Sequence, residues 1–122
     1  MNIWGIPDWL ENEVRSRDKK CVYCGVEMVQ MVPRGTPRKA VATWEHIVND
    51  ARIITRENIA LCCCACNASK GQKTLAAWLQ STYCKQRGVN EDSVAQIVKA
   101  ALRCARKAPN QSMELTASRR YI

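Results

Sequence analysis

A chain of 122 residues with a formal charge of +8 and a pI near 9.3 has the size of one domain with a modest core, so 1–122 reads as a single domain. The basic surplus points to a polyanionic partner, nucleic acid ahead of an anionic membrane. No apolar run reaches membrane-spanning length, and the first ten residues lack the basic start of a signal peptide. The eight cysteines are therefore expected to be reduced thiols in a cytoplasm, with disulfides as the alternative.

Residues 7 to 17 read as a short helix. Pro7 suits a first helical position, Asp8, Glu11 and Glu13 sit in the early turns, and Leu10 and Val14 share a face. The basic end of this 1–20 segment (Arg15, Arg17, Lys19, Lys20) leads into Cys21-Val22-Tyr23-Cys24-Gly25, which has the form of a metal knuckle. Two intervening residues let both sulfurs reach one ion, and Gly25 permits a tight turn. Val26 to Val32 suits a strand, Pro33-Arg34-Gly35-Thr36-Pro37-Arg38 is a turn by composition, and Ala40 to Trp44 reads as the returning strand. Residues 26 to 46 are thus expected to form a hairpin with a basic tip. Arg34, Arg38 and Lys39 at that tip, with Lys70 and Lys73 further on, are the candidate nucleic-acid contacts, a solvated turn being the alternative.

Residues 47 to 57 read as a loop with Asn49-Asp50 as its turn signal, and Asn58 to Leu61 as a short strand. Cys63 to Lys70 should be a short helix stopped by Gly71. From Thr74, the spacing of Leu75, Trp78, Leu79 and Tyr83 predicts an amphipathic helix closing near Gly88. A last helix takes Asn90 as N-cap and Glu91 and Asp92 in its first turn. Val94, Ile97, Val98, Ala101, Leu102 and Ala105 form its stripe, and it ends before Pro109. Residues 74–108 are thus two flanking helices, and 109–122 lack periodicity and read as a loose tail.

Two CxxC pairs, Cys21/Cys24 and Cys63/Cys66, have the spacing of a closed zinc site. Four soft ligands leave no open position, so the ion is structural. In the run Cys62-Cys63-Cys64-Ala65-Cys66 only Cys63 and Cys66 have a two-residue spacer. Cys62, Cys64, Cys84 and Cys104 read as small apolar fillers. The single histidine, His46, follows Glu45 directly, with Asn58 ahead of the second cysteine pair and Asn67 immediately after it. Phosphodiester hydrolysis needs a base to activate water and a cation to stabilise charge on the phosphate. A histidine is mostly neutral at pH 7 and suits the base. Glu45 and Asn67 offer the hard oxygen ligands that Mg²⁺ or Mn²⁺ prefer.

This set resembles the HNH nucleases of the ββα-metal class, in the variant with a structural zinc held by two CxxC pairs, over residues 21–73. The resemblance implies an α+β fold: a small ββα core with a four-cysteine zinc knuckle, an N-terminal helix and two C-terminal helices. It also implies a metal-dependent endonuclease that hydrolyses DNA by nicking or double-strand cleavage. In that scheme His46 is the general base, Asn58 steadies it, and Glu45 and Asn67 hold the catalytic cation, Mg²⁺ or Mn²⁺, with Ni²⁺ or another ion as alternatives. Glu45 replaces the commoner Asp, and the family's frequent Pro shortly after the His is missing from His46-Ile47-Val48-Asn49. Small HNH enzymes occur in phages, mobile introns and restriction systems, so a bacterial or phage-infected cell is the expected setting.

Adjacent strand residues point to opposite faces, so the strand is expected to end or twist at Glu45-His46, with Asn58 bridging the loop to hold the imidazole. Two other readings compete: a non-catalytic zinc module that binds nucleic acid, and a small domain docking on a larger protein through Trp4, Trp9 and the helical stripes. Oligomeric state, homodimer or larger complex, is not legible in the sequence.

Overall fold

The computed structural model describes residues 2–30, 34–35 and 38–107, with only the backbone of Arg38, Arg106 and Lys107 described. The architecture is α+β. Helix α1 (Asp8–Arg17) is followed by a 3-10 turn at Arg38–Ala40 and two strands, β1 (Ala42–His46) and β2 (Ile59–Cys63). Four helices complete it: α2 (Cys64–Lys70), α3 (Leu75–Leu79), α4 (Thr82–Arg87) and α5 (Gln96–Lys107). Sheet, following helix and cysteine cluster are consistent with a small ββα-metal core. Among the described residues no helix is long and apolar enough to cross a membrane.

β1 and β2 pair antiparallel in a register that sets Trp44 opposite Leu61, Glu45 opposite Ala60 and His46 opposite Ile59. Residues opposite one another share a face, so the register divides the sheet between two cores. On one face Ile59 and Leu61 pack with Ile6, Leu10 and Val14 of the N-terminal segment, joined by Ala42, Trp44 and Ile54. On the other, Ala60 and Cys62 join Val22, Tyr23, Ile47, Trp78, Cys84, Val94 and Val98. Because both faces are covered, β2 is buried along its whole length, which is why it reads as the unbroken apolar run Ile-Ala-Leu-Cys-Cys rather than as an alternation.

The open edges of this small sheet are closed by side chains. On β2, Asp18 Oδ2 accepts the Leu61 N–H at 3.1 Å and Arg17 Nη2 donates to the Ile59 carbonyl at 2.8 Å. The Val22 N–H adds a bond to the Leu61 carbonyl. Without these partners the edge would offer unpaired backbone groups to another chain. On β1, Asn67 Nδ2 donates to the Trp44 carbonyl, and the Val29 carbonyl accepts the Ala42 N–H.

That edge explains the first correction. The expected hairpin over 26–46 does not form among the described residues; β1 takes β2 as its partner. Val29 meets Val41 in an isolated parallel bridge, a strand direction that a hairpin cannot have, and further along the same edge Asn67 takes the Trp44 carbonyl. The expected helix over 74–88 is divided into α3 and α4, because the Ser81 hydroxyl caps a new helix through the Cys84 N–H. Asn90 caps a turn rather than the last helix. Its side-chain oxygen accepts from the N–H groups of Asp92 and Ser93, and the Ala95 N–H goes to the Val22 carbonyl, so the helical ladder starts only at Gln96. Three helices therefore follow α2 where two are expected. Pro109 and the 109–122 tail lie outside the described residues.

Trp78 is the largest fully buried side chain. Tyr23 meets its ring edge-on with centroids 4.8 Å apart, Tyr83 lies at 5.9 Å, and its indole N–H donates to Ser69 Oγ. Trp78→Ala should destabilise the fold by about 3–5 kcal/mol, as truncation of a large core aromatic does. Chemical denaturation should register this as a lower midpoint with little change in slope.

Candidate functional site: a sulfur cluster and a buried ion pair

The sulfurs of Cys21, Cys24, Cys63 and Cys66 all lie within 4.8 Å of one another. Local sequence places them. Cys21 and Cys24 flank a turn that Gly25 completes with φ +78, a value costly for any residue with a Cβ. Cys63 is the last residue of β2 and the N-cap of α2, its sulfur accepting the Cys66 N–H where a Ser or Thr oxygen is usual. The Cys24 N–H points in the same way at Cys21 Sγ, and the Tyr83 hydroxyl donates to Cys66 Sγ at 3.3 Å.

The separation of 3.8 Å between Cys24 Sγ and Cys63 Sγ matches the edge of a regular tetrahedron of sulfurs about 2.3 Å from a central ion, the zinc–thiolate bond length. Hydrogen bonds from Cys63 and Cys66 hold the Cys21 thiol well below its usual range, and the same contact raises the thiols of Cys63 and Cys66. Protons are shared among sulfurs crowded round one point, and a dication can replace them. The residues fit a structural zinc ion. Of the other cysteines, Cys62 and Cys84 are buried, Cys64 is half-buried and Cys104 is exposed, and burial pushes the Cys62 thiol up.

The remaining candidates lie around the end of β1. Glu45 is buried on the α2 face. Its Oε2 accepts the Tyr23 hydroxyl at 2.5 Å and lies 3.0 Å from Lys70 Nζ, with the Glu45 and Lys70 side chains 7% and 2% exposed. Burial, and then the neighbouring Glu45 charge, raise the Tyr23 hydroxyl well above its usual range, so it remains a donor. Asn67 stands one turn before Lys70 on α2. Its Nδ2 donates to Thr43 Oγ1 at 2.9 Å and to the Trp44 carbonyl at 3.1 Å, so the ligand atom left for it to offer is Oδ1. The donor chemistry of Glu45 and Asn67 suits a hard cation, but in this arrangement one carboxylate oxygen, Oε2, is already taken by an ammonium and a phenol.

His46 is the last residue of β1, and strand alternation turns its side chain away from the Glu45 face. It is half-buried, and its Nε2 is buried without a hydrogen-bond partner among the described residues. Burial lowers its pKa, opposed by the charges of Glu45 and Asp50 and assisted by that of Lys70, so the ring is neutral near pH 7. Asn58 does not bond the imidazole. Its Oδ1 accepts the Val48 N–H at 2.7 Å, while Nδ2 donates to the carbonyls of Val48 and Ile53. It thereby fixes the loop that leaves His46.

The candidate nucleic-acid contacts divide. Arg34, Lys39 and Lys73 are exposed, and the side chain of Arg38 lies outside the described residues. Lys70 is not on the surface at all: it is 1% exposed, because the buried carboxylate beside it draws its ammonium inward. Tyr23 and Thr43 join the site without having been singled out in the sequence. Tyr23 carried a signal, since a side chain inside a CxxC spacer is held wherever the metal holds the turn.

No family model and no solved structure matches the chain. The CRISPR-associated endonuclease Cas9 of Corynebacterium diphtheriae is 28% identical over 102 residues, an alignment covering 75% of this chain and 8% of that protein. The chain thus matches only a small part of that relative's length.

Cys21→Ser, Cys24→Ser, Cys63→Ser and Cys66→Ser should each lose bound zinc and much of the stability, since structural zinc binds with on the order of 10–16 kcal/mol. Cys62→Ala should keep its zinc, as elemental analysis of purified protein will register. Lys70→Met should cost about 3–5 kcal/mol by leaving the Glu45 carboxylate buried and unpaired. The double variant Glu45→Gln/Lys70→Met should recover most of that loss in thermal unfolding.

Proposed function

We propose that the chain is a metal-dependent HNH-type endonuclease that hydrolyses DNA phosphodiester bonds, with His46 as general base. The observation that carries this is the setting of the imidazole: half-buried at the end of β1, in sequence beside Glu45 but on the other face, with Nε2 lacking a partner among the described residues. Leaving a buried polar atom unsatisfied costs free energy, and functional sites are where that cost is tolerated. The similarity to a protein named an endonuclease supports the reaction class. The charge of +8 supports a polyanionic substrate.

In this reading His46 accepts a proton from the attacking water at Nε2, and Asn58 keeps the His46 backbone in place through the loop. A divalent cation, Mg²⁺ or Mn²⁺ on Glu45 and Asn67, supplies positive charge to the phosphate and the leaving oxygen when bound. Exposed Arg34, Lys39 and Lys73 hold backbone phosphates, which fix position without reading sequence. One observation favours a second reading, a non-catalytic zinc-containing module that binds nucleic acid: the Glu45 carboxylate is already neutralised by Lys70.

Incubation of supercoiled plasmid with Mg²⁺ or Mn²⁺ separates the two. Wild type should nick or linearise it, and His46→Ala should be slower by roughly 100- to 10,000-fold while still binding DNA. The rate should rise with pH and level off, with a midpoint below the usual histidine value of about 6.5. Burial favours the neutral ring, and only that form accepts the proton. Equal rates for the two proteins would remove His46 from the mechanism. Binding without cleavage by either, with affinity falling steeply as salt rises, would establish the binding module instead.

A further inference from the structure

We propose that Lys70 is the resident counter-ion of Glu45, and that a divalent cation reaches Glu45 and Asn67 only by exchanging with it when nucleic-acid phosphate is bound. This inference rests on the endonuclease reading and adds a control to its site. The starting point is one oxygen with two donors: Glu45 Oε2 takes both the Tyr23 hydroxyl and the Lys70 ammonium. Nothing about this contact is superficial, since Lys70 and Glu45, with Asp18, are the buried charged residues among those described.

The geometry makes ammonium and metal competitors. Residues three apart on a helix share a face, and α2 uses that face to reach β1 twice, through Asn67 to the Trp44 carbonyl and through Lys70 to the next residue, Glu45. The ammonium therefore already holds one oxygen of the carboxylate that a cation shared by Glu45 and Asn67 would use. Two positive charges cannot both contact one carboxylate in a low-dielectric site without strong repulsion. Neither can the ammonium simply be displaced within the core, because a buried charge without a partner is costly. It needs another anion.

Lys70 is placed to find one. It is the last residue of α2, and Gly71, Gln72 and Lys73 beyond it are exposed. A lysine head on its flexible stem can swing outward from such a position. A DNA phosphate is the anion that a chain of charge +8 attracts. Phosphate and metal then both favour the conformer with Lys70 turned out, and ligands that favour one conformer strengthen each other's binding by the same factor. Tyr23 stays on Glu45 throughout and keeps the carboxylate oriented.

The test is Mn²⁺ binding to the zinc-loaded full chain, followed by the electron paramagnetic resonance of the free ion. It is run with and without an uncleavable DNA duplex, after subtracting ions held by the duplex alone. Wild type should bind Mn²⁺ roughly tenfold tighter or more with DNA present, within the usual range of coupling between sites. Lys70→Met should bind Mn²⁺ without DNA nearly as tightly as the wild-type complex. Lys70→Arg should retain the DNA dependence, and Glu45→Gln/Lys70→Met should lose the site.

Equal Mn²⁺ affinity of wild type with and without DNA overturns the exchange, and so does a Lys70→Met protein that folds but still requires DNA. If circular dichroism finds Lys70→Met unfolded, the wild-type comparison decides alone. Plasmid cleavage together with DNA-independent Mn²⁺ binding would overturn the exchange and leave the endonuclease reading standing. DNA-dependent Mn²⁺ binding lost in Glu45→Gln/Lys70→Met, without cleavage, would do the reverse.

Discussion

Everything in the described part of this protein hangs from the convergence of four sulfurs. The knuckle at 21–24 and the junction of β2 with α2 are far apart in sequence, and neither is held near the other by an extended ladder of backbone hydrogen bonds. Their cysteines bring them within 4.8 Å. Cys63 does this while capping α2 through its sulfur, so the metal site and the helix start are one object. The direction of α2, and with it the positions of Asn67 and Lys70, follow from that cap. Tyr23, carried between the first two cysteines, is delivered to Glu45 by the same clip. A chain this size has little core to spare, and the clip replaces what a larger core would provide.

The second constraint is the two-residue period of β1. It sends Thr43 and Glu45 to the α2 face and Trp44 and His46 to the α1 face. Two different environments result from neighbouring residues. Glu45 enters a dry, charge-balanced contact, in which an ion pair is tolerated because each charge keeps its partner. His46 emerges at the strand end, where burial keeps it neutral and its Nε2 is left without a partner among the described residues. Asn58 and Asn67 act on the backbone around these two residues, one clamping the loop after His46 and the other the strand before Glu45.

Some of this was legible in the sequence because it depends on local rules. The α1 helix, the CxxC register with Cys63 and Cys66 as the pair, the glycine turn after Cys24 and the helix ending at Lys70 all follow from spacing and capping within a few residues. So did the chemical suitability of His46 as a base and of Glu45 and Asn67 as oxygen donors. The break between α3 and α4 was less visible, since Ser81 lies inside a pattern whose apolar spacing continues across it. Asn90 misled for a related reason: an Asn followed by acidic residues marks an Asx turn as readily as a helix start.

The sequence by itself determined the donor set, most of the elements and the charge; only the tertiary structure decided which of those groups are already engaged. Apolar period can place Val29 on a strand, but the folded chain lets it meet β1 only at the Ala42 N–H, in a parallel bridge, while β2 takes the ladder of the other edge. Composition can count Lys70 among the basic residues that face a polyanion. Its burial against Glu45 depends on α2 lying across β1 at one angle, fixed by sulfurs and caps from separate stretches of chain. Charge and hydrogen-bond capacity are properties of residues, whereas partnership is a property of distance, and distance exists only once the chain has folded.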